Sequence, residues 1–506
     1  MFKITVRTMK LITSAILVCF AFATVWGGTY TLDLRRPASV NGEVTKSAAV
    51  VPGGDFLRRV NLDAGSADVG VVDVGDILEL TLFDDVSVVV TLKKKMPAPI
   101  GGDAFLAEVS GFENVKNAVV LRTADGLTID IHDYRNRKIY KVISSPTGVM
   151  VQESEARSVN CGCDTLEPVI PSRKADSLTV GKVGKSYDVR ADPETTVDIL
   201  VAYDSNAAEW AAANGGVTNF ALISVQKMNT VLANNDLDSK FRFRLVGVVS
   251  VPAYSYDLQD ALESAANASP GWGAISAKRE EVGADVVTVF IDTGSAYGTT
   301  GLGFSLKAST PEDRNDISWF AGMAYNACLI RSVAVSHTMT HEVGHNMGCG
   351  HSDLQSSSPG PQLYGYSSGY YFTADGEKYF TVMAYGTEGP GGDETPYFSS
   401  PDHYYKGVAV GDEKHDNRMT LNNTYLGVSQ WRRAKGSEIT PSEDDPLPGD
   451  LVWLRSHNEV VAQAKSEGKK VFLIYGRDGC WNTQTTKNES CEQYSVKKML
   501  SAGYVC

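Results

Sequence analysis

Four of the eight histidines in this 506-residue chain fall in one stretch, His337-Thr-Met-Thr-His341-Glu342-Val-Gly-His345-Asn-Met-Gly348-Cys-Gly-His351, which limits the possible folds more than any other feature. On a helix, His341 and His345 project from one face a turn apart, so two imidazoles can share one point in space. Gly348 tolerates positive φ, which lets the helix stop and the chain turn back until His351 joins them. Three imidazoles make a metal site, and a fourth position left open marks a catalytic rather than a structural zinc. Glu342, beside the first of these histidines, is placed to reach a water on the metal rather than the metal itself. A lone histidine is ordinarily a satisfied core residue; three in this register, with Glu and Gly between them, are not. His337 also lies four residues before His341, but Thr338 rather than a glutamate follows it, so a packing or supporting role behind the ligands is expected.

This extended motif resembles that of the metzincin zinc peptidases, whose second mark is a methionine turn beneath the metal. Tyr379-Phe-Thr-Val-Met383-Ala-Tyr385-Gly386 fits that turn, with Met383 as the apolar floor and Tyr385 as the tyrosine that astacin-like and serralysin-like members place near the metal. Asp353 follows His351 only after Ser352, unlike the direct His-Asp step of reprolysin-like enzymes. Together with Tyr397-Phe-Ser-Ser-Pro401 and Arg418-Met-Thr-Leu-Asn-Asn-Thr424, the chain is nonetheless most similar to bacterial reprolysin-like peptidases, over roughly residues 197–431. The resemblance implies an α/β catalytic domain with a twisted mixed sheet, a zinc helix and a Met-turn. It further implies hydrolysis of peptide bonds in a protein or peptide substrate by a zinc-activated water, with Glu342 as general base and Tyr385 helping the oxyanion. One catalytic Zn²⁺ is the implied cofactor, with room for a supporting Ca²⁺. Thr300-Gly-Leu-Gly-Phe304 is the candidate edge strand for pairing with extended substrate, the alternative being a glycine-rich loop.

The rest of the chain is read around this domain. Lys3, Arg7 and Lys10 precede an apolar run from Leu11 to Trp26 that contains Ala21-Phe22-Ala23, the layout of a signal peptide ending near residue 23. Export to the periplasm or outside the cell is the expectation, without stable membrane insertion afterwards. Residues 29–163 are rich in β-branched, strand-like runs and carry no catalytic constellation, so they read as a β-rich prodomain. A polar stretch, 164–194, with Pro168, Pro171 and Arg173-Lys174, reads as an exposed link to the catalytic domain at 195–433, where helix and strand patterns alternate. A second link, 434–450, leads to 451–506, which resembles the start of a thioredoxin-like α/β domain, with Cys480-Trp481 present but Thr483 where the second cysteine of the motif would stand.

Seven cysteines remain once Cys19 leaves with the signal, an odd number for an exported protein. Asn160-Cys161-Gly162-Cys163 resembles the cysteine switch of metzincin precursors, in which a thiolate such as that of Cys161 fills the open zinc position; pairing with other cysteines is the alternative. Cys328 and Cys349 flank the zinc helix and are expected as a disulfide. The formal net charge of -13 and pI near 5.2 leave no broad basic surface for nucleic acid. A secreted zymogen endopeptidase is the leading reading. A non-catalytic adhesion or binding protein on a metzincin scaffold is the alternative, and intact Glu342 and histidines speak against it.

Overall fold

The computed structural model describes residues 27–35, 56–156, 195–432, 457–472 and 504–505, apart from short breaks within these spans. The expected signal peptide, Cys161 and Cys163, both links and Cys480 lie outside the described residues.

Alternating apolar residues make the first strands. Leu78, Leu80 and Leu82 are buried while Glu79 between them is exposed, the period-two pattern of a half-buried strand. Nine strands result: β1 (Thr29–Asp33), β2 (Arg58–Leu62), β3 (Ile77–Phe83), β4 (Val86–Met96), β5 (Asp103–Val109), β6 (Ala118–Thr123), β7 (Gly126–Asp133), β8 (Lys138–Ser145) and β9 (Gly148–Glu155). They form one sheet in the order β1-β3-β4-β5-β6-β7-β8-β9-β2. From β3 to β9 each strand pairs antiparallel with the next. In the central strands both faces are covered. Phe105, Ala107, Ala118 and Val120 build the sheet's own core. Ala104, Leu106, Val119 and Leu121, on the opposite face, join the core of the following residues. Double coverage explains why these strands read as continuous apolar runs rather than alternating ones.

The next residues build an α/β layer: β10 (Thr196–Tyr203), α1 (Ser205–Ala212), α2 (Val217–Asn234), β11 (Arg242–Ser250), α3 (Leu258–Ala266), α4 (Gly273–Val282), β12 (Val286–Ile291), β13 (Gly301–Gly303), α5 (Pro311–Asn315), β14 (Tyr325–Leu329), α6 (Ile330–Val333), α7 (Thr338–Asn346) and α8 (Asn417–Val428). The sheet order is β11-β10-β12-β14-β13. Four strands are parallel, and β13 alone runs antiparallel at the edge beside β14. This is the twisted mixed sheet expected from the sequence. Helix α2 is buried at every position from Phe220 to Asn234, because it lies between this sheet and the amino-terminal one. The two sheets thus belong to one compact unit that ends at Arg433.

Residues 434–506 form a second unit. Its described residues give a helix, α9 (His457–Glu467), and two short parallel strands, Lys470–Val471 and Tyr504–Val505. Among the described residues no helix is long and apolar enough to cross a membrane.

Candidate metal centre

Helix α7 is entirely buried and begins at His337, whose backbone carbonyl accepts from the His341 amide at 2.9 Å. It ends as the sequence requires: Gly348 has φ +93°, and a Cβ there would lie 2.8 Å from Leu363 Cδ2. The turn brings His351 against the other two histidines. The three Nε2 atoms stand 3.0 Å (His341–His351), 3.1 Å (His345–His341) and 2.8 Å (His345–His351) apart.

The opposite ring nitrogens fix what those atoms are. His341 Nδ1 donates to Val382 O at 2.7 Å, His345 Nδ1 to Cys349 O at 3.1 Å and His351 Nδ1 to Ser358 O at 3.0 Å. A carbonyl can only accept, so each Nδ1 carries the proton and each Nε2 presents a lone pair. Burial holds all three rings in the neutral form, pushing His341 and His345 well below the usual histidine range and His351 down to about 4. Three lone pairs about 3 Å apart, with no proton to share among them, are satisfied by a cation at their centre. The donor set therefore fits zinc, with the backbone carbonyls as the orienting partners that metal-bound histidines use. Among the described residues this is the one group able to hold a metal ion, and nothing there supports a calcium site.

Glu342 lies on the side of α7 facing the edge strand. A Cβ built on Gly301 would stand 2.2 Å from Glu342 Oε1, so glycine there lets β13 approach this closely, while one on Gly303 would meet Oε2 at a tight 3.2 Å. The carboxyl is wholly buried, which raises its pKa well above the usual value. The strand then follows the helix: Asn346 Nδ2 donates to Phe304 O at 2.8 Å, and Leu306 N to His345 O at 3.0 Å.

Met383 is fully buried under α7, where a Cβ on Gly344 would lie 2.6 Å from its Sδ. Tyr385 brings its hydroxyl to 3.1 Å from His351 Nε2. The later motifs act as braces. Tyr397 O accepts from Val382 N at 2.9 Å, holding the residue whose carbonyl orients His341. Asn417 exchanges side-chain hydrogen bonds with Gly350 N and O at 3.1 and 2.9 Å, and Thr424 Oγ1 donates to Met347 O at 3.0 Å, so α8 clamps the end of the zinc helix. Asp353 turns away to His415 Nε2, 3.0 Å distant.

One expectation fails. Cys328 and Cys349 are buried free thiols, not a disulfide. Cys328 sits mid-strand in β14 near Asn326 Oδ1 (3.8 Å), whereas Cys349 points to Asn417 O (3.7 Å), so proximity to the two ends of one helix does not aim their side chains at each other. The carbonyls of Val382, Cys349 and Ser358 are the contributors that side-chain motifs do not reveal, as is the close approach of the β13 glycines to Glu342.

A helix-borne three-histidine site with an adjacent glutamate, a methionine floor and an antiparallel edge strand defines a metzincin-like zinc metallopeptidase domain. Residues 193–399 match the model of metallo-peptidase family M12, in its reprolysin-type form, and so constitute such a domain. The peptidyl-Asp metalloendopeptidase of Pseudomonas aeruginosa is 31% identical over 196 residues, which cover 35% of this chain and 31% of that protein, so the match spans about a third of the relative's length. Among solved structures, metalloproteinase-II from Bacteroides fragilis aligns over 79% of this chain and 99% of its own, with 11% identity and a TM-score of 0.36. A chaperone-substrate complex aligns over 72% of this chain and 44% of its own at 16% identity and a TM-score of 0.35.

Proposed function

We propose that this chain is an exported zinc endopeptidase made as a latent precursor. The observation that carries the peptidase reading is the convergence of three neutral Nε2 atoms beside a buried glutamate at a glycine edge strand. Zinc held by His341, His345 and His351 would supply Lewis acidity, acidifying a water and polarising a carbonyl. Glu342 takes the proton of the attacking water and returns it to the amine as the peptide bond breaks, a transfer favoured by the raised basicity of a carboxylate in dry surroundings. Tyr385 would steady the developing oxyanion with a hydrogen bond from its hydroxyl, which stands beside His351. An extended peptide would pair with Gly301–Gly303, whose close approach to Glu342 sets the scissile bond beside the base.

Latency is read from the order of the segments: a β-rich stretch without a catalytic constellation precedes the peptidase domain and ends at Cys161-Gly162-Cys163. In this reading the 29–163 segment is the prodomain, Cys161 supplies the blocking thiolate, and a cut within 164–194 begins maturation. For the substrate, Lys307 lies on the segment that follows the edge strand, is exposed, and bears electrostatically on both His345 and His351. A cation there suits an acidic side chain next to the cleaved bond, the preference expressed in the name of the Pseudomonas relative.

The test is proteolysis of casein by the processed chain, beside Glu342→Ala and a chelated sample. Activity in the first alone supports the peptidase. Zinc bound without hydrolysis in any sample favours the scaffold alternative.

A further inference from the structure

Two side-chain clasps that the chemistry of peptide hydrolysis leaves unused join the chain on either side of the zinc site. One runs through Glu388, beyond Met383 and Tyr385. Its Oε2 accepts from Ser356 N at 3.1 Å, Ser356 Oγ at 3.0 Å and Ser357 N at 2.9 Å, and its Oε1 from Ser357 Oγ. Partial burial works against the charge on this group, but the bonds from Ser357 and Ser356 prevail and draw its pKa below the usual carboxylate range, so it stands as the anion these donors need. The next residue, Ser358, has φ +41°, in the left-handed region where a residue with a Cβ is strained. It is the carbonyl of this Ser358 that accepts from His351 Nδ1 at 3.0 Å. A strained residue persists where its surroundings over-determine it, and two serines anchored to one carboxylate directly before it do so.

The second clasp is Gln355. Its neighbours Leu354 and Ser356 are exposed, yet Gln355 is turned inward and is 4% exposed. Its Oε1 accepts from Tyr385 N at 3.1 Å, and because a backbone amide only donates, the oxygen is fixed at this end. Nε2, at the other end, makes no hydrogen bond to a described residue. Burying an amide with its donor unused is costly, so the side chain is in place for what its oxygen holds. Tyr371 completes the grip, its hydroxyl donating to Tyr385 O at 2.8 Å and accepting from Tyr385 N at 3.2 Å. The phenol on this clamped backbone stands 3.1 Å from His351 Nε2. Both clasps start on residues 355–357 and end on residues 385–388, tying the loop that orients His351 to the turn that carries Tyr385.

We infer that Glu388 and Gln355 are positioning residues of this site: Glu388 fixes the Ser358 carbonyl that sets His351 as a ligand, and Gln355 fixes the backbone that brings Tyr385 to His351. The part given to Gln355 rests on the peptidase reading, whereas zinc affinity tests Glu388 without any hydrolysis. Zinc affinity of the full chain is measured by competition with a fluorescent chelator, and kcat and KM on a quenched fluorescent peptide after cleavage within 164–194. Glu388→Ala weakens zinc binding about tenfold, the cost of losing support behind a metal-bound histidine, while Glu388→Gln, which keeps a carbonyl oxygen for the serine donors, loses about threefold. Circular dichroism establishes that each variant is folded, and Glu388→Gln decides should the alanine variant not fold. Gln355→Met keeps the shape but not the acceptor; it lowers kcat about tenfold with KM and zinc affinity unchanged, and adds nothing in a Tyr385→Phe background. Zinc affinity at the parent's value in both Glu388 variants, or an equal loss in the two, overturns the part given to Glu388. An unchanged kcat in Gln355→Met, or a loss as large in the Tyr385→Phe background, overturns the part given to Gln355. Absence of hydrolysis by the parent would sink the peptidase reading and the part of Gln355 with it, and Glu388 would still stand or fall on zinc.

Discussion

Replacing Gly301 by alanine tests the relation between the edge strand and the base. The added Cβ would meet Glu342 Oε1 at 2.2 Å and its Cδ and Cγ at 2.7 Å, whereas ordinary contact begins at 3.4 Å. Because three atoms of the side chain are affected, rotating the carboxylate alone does not relieve the clash; strand or glutamate must move by about 1.2 Å, the gap between 2.2 and 3.4 Å. Misplacing a catalytic group by an ångström costs about a hundredfold in rate, or roughly 2.7 kcal/mol of transition-state stabilisation. Overpacking at such a site destabilises the fold by about 1–3 kcal/mol. Gly301→Ala should therefore hydrolyse a quenched fluorescent peptide with kcat/KM about a hundredfold down, bind zinc normally because the histidines lie away from the clash, and melt somewhat earlier. Activity within twofold of the parent, in a folded variant, would show that β13 does not govern Glu342.

Met383→Ala should destabilise the domain by about 2–5 kcal/mol in urea unfolding, the range for emptying a buried methionine site, while zinc content stays unchanged; an unaltered midpoint would remove Met383 from beneath α7. Asp285 is pushed up to about 8 by burial, against the opposing pull of the Asp198 and Arg432 amides on its carboxylate. A raised folded-state pKa contributes stability that is complete below the unfolded value near 4 and is lost as pH rises towards 8. Relative to Asp285→Asn, the parent should lose up to about 1.4 kcal/mol per pH unit across that window, and parallel stability curves would contradict it. Lys307→Glu should lower kcat/KM for a peptide with aspartate beside the cleaved bond by at least about tenfold, with little change for an alanine peptide; equal losses on both would deny Lys307 a part in selectivity.

The zinc site was legible because its chemistry is local: His341 and His345 share a helical face, and Gly348 supplies the φ of +93° that returns His351. Strand Val286–Ile291 showed itself as a nearly unbroken apolar run, whereas Thr300 to Phe304 could be read either as the edge strand or as a glycine-rich loop until its pairing with β14 decided for the strand. What the side chains do not encode was hidden. The proton positions on the imidazoles depend on backbone carbonyls of Val382, Cys349 and Ser358, contributed by any residue type. The need for glycine at 301 appears only when β13 lies against Glu342. Cys328 and Cys349 misled because closeness in sequence to one helix says nothing of direction; a sheet strand and a helix-terminal turn aim them at different neighbours. The seating of the amino-terminal sheet on α2 was likewise invisible, since a helix buried on both sides shows no single apolar face.

Zinc X-ray absorption on the full-length chain bears most directly on the metal site. Three imidazole ligands on one zinc per chain is the expected spectrum, reduced to two in His345→Ala. A zinc bound by fewer than three imidazoles in the parent, or a spectrum unchanged by that substitution, would contradict the assignment of His341, His345 and His351 as the ligands.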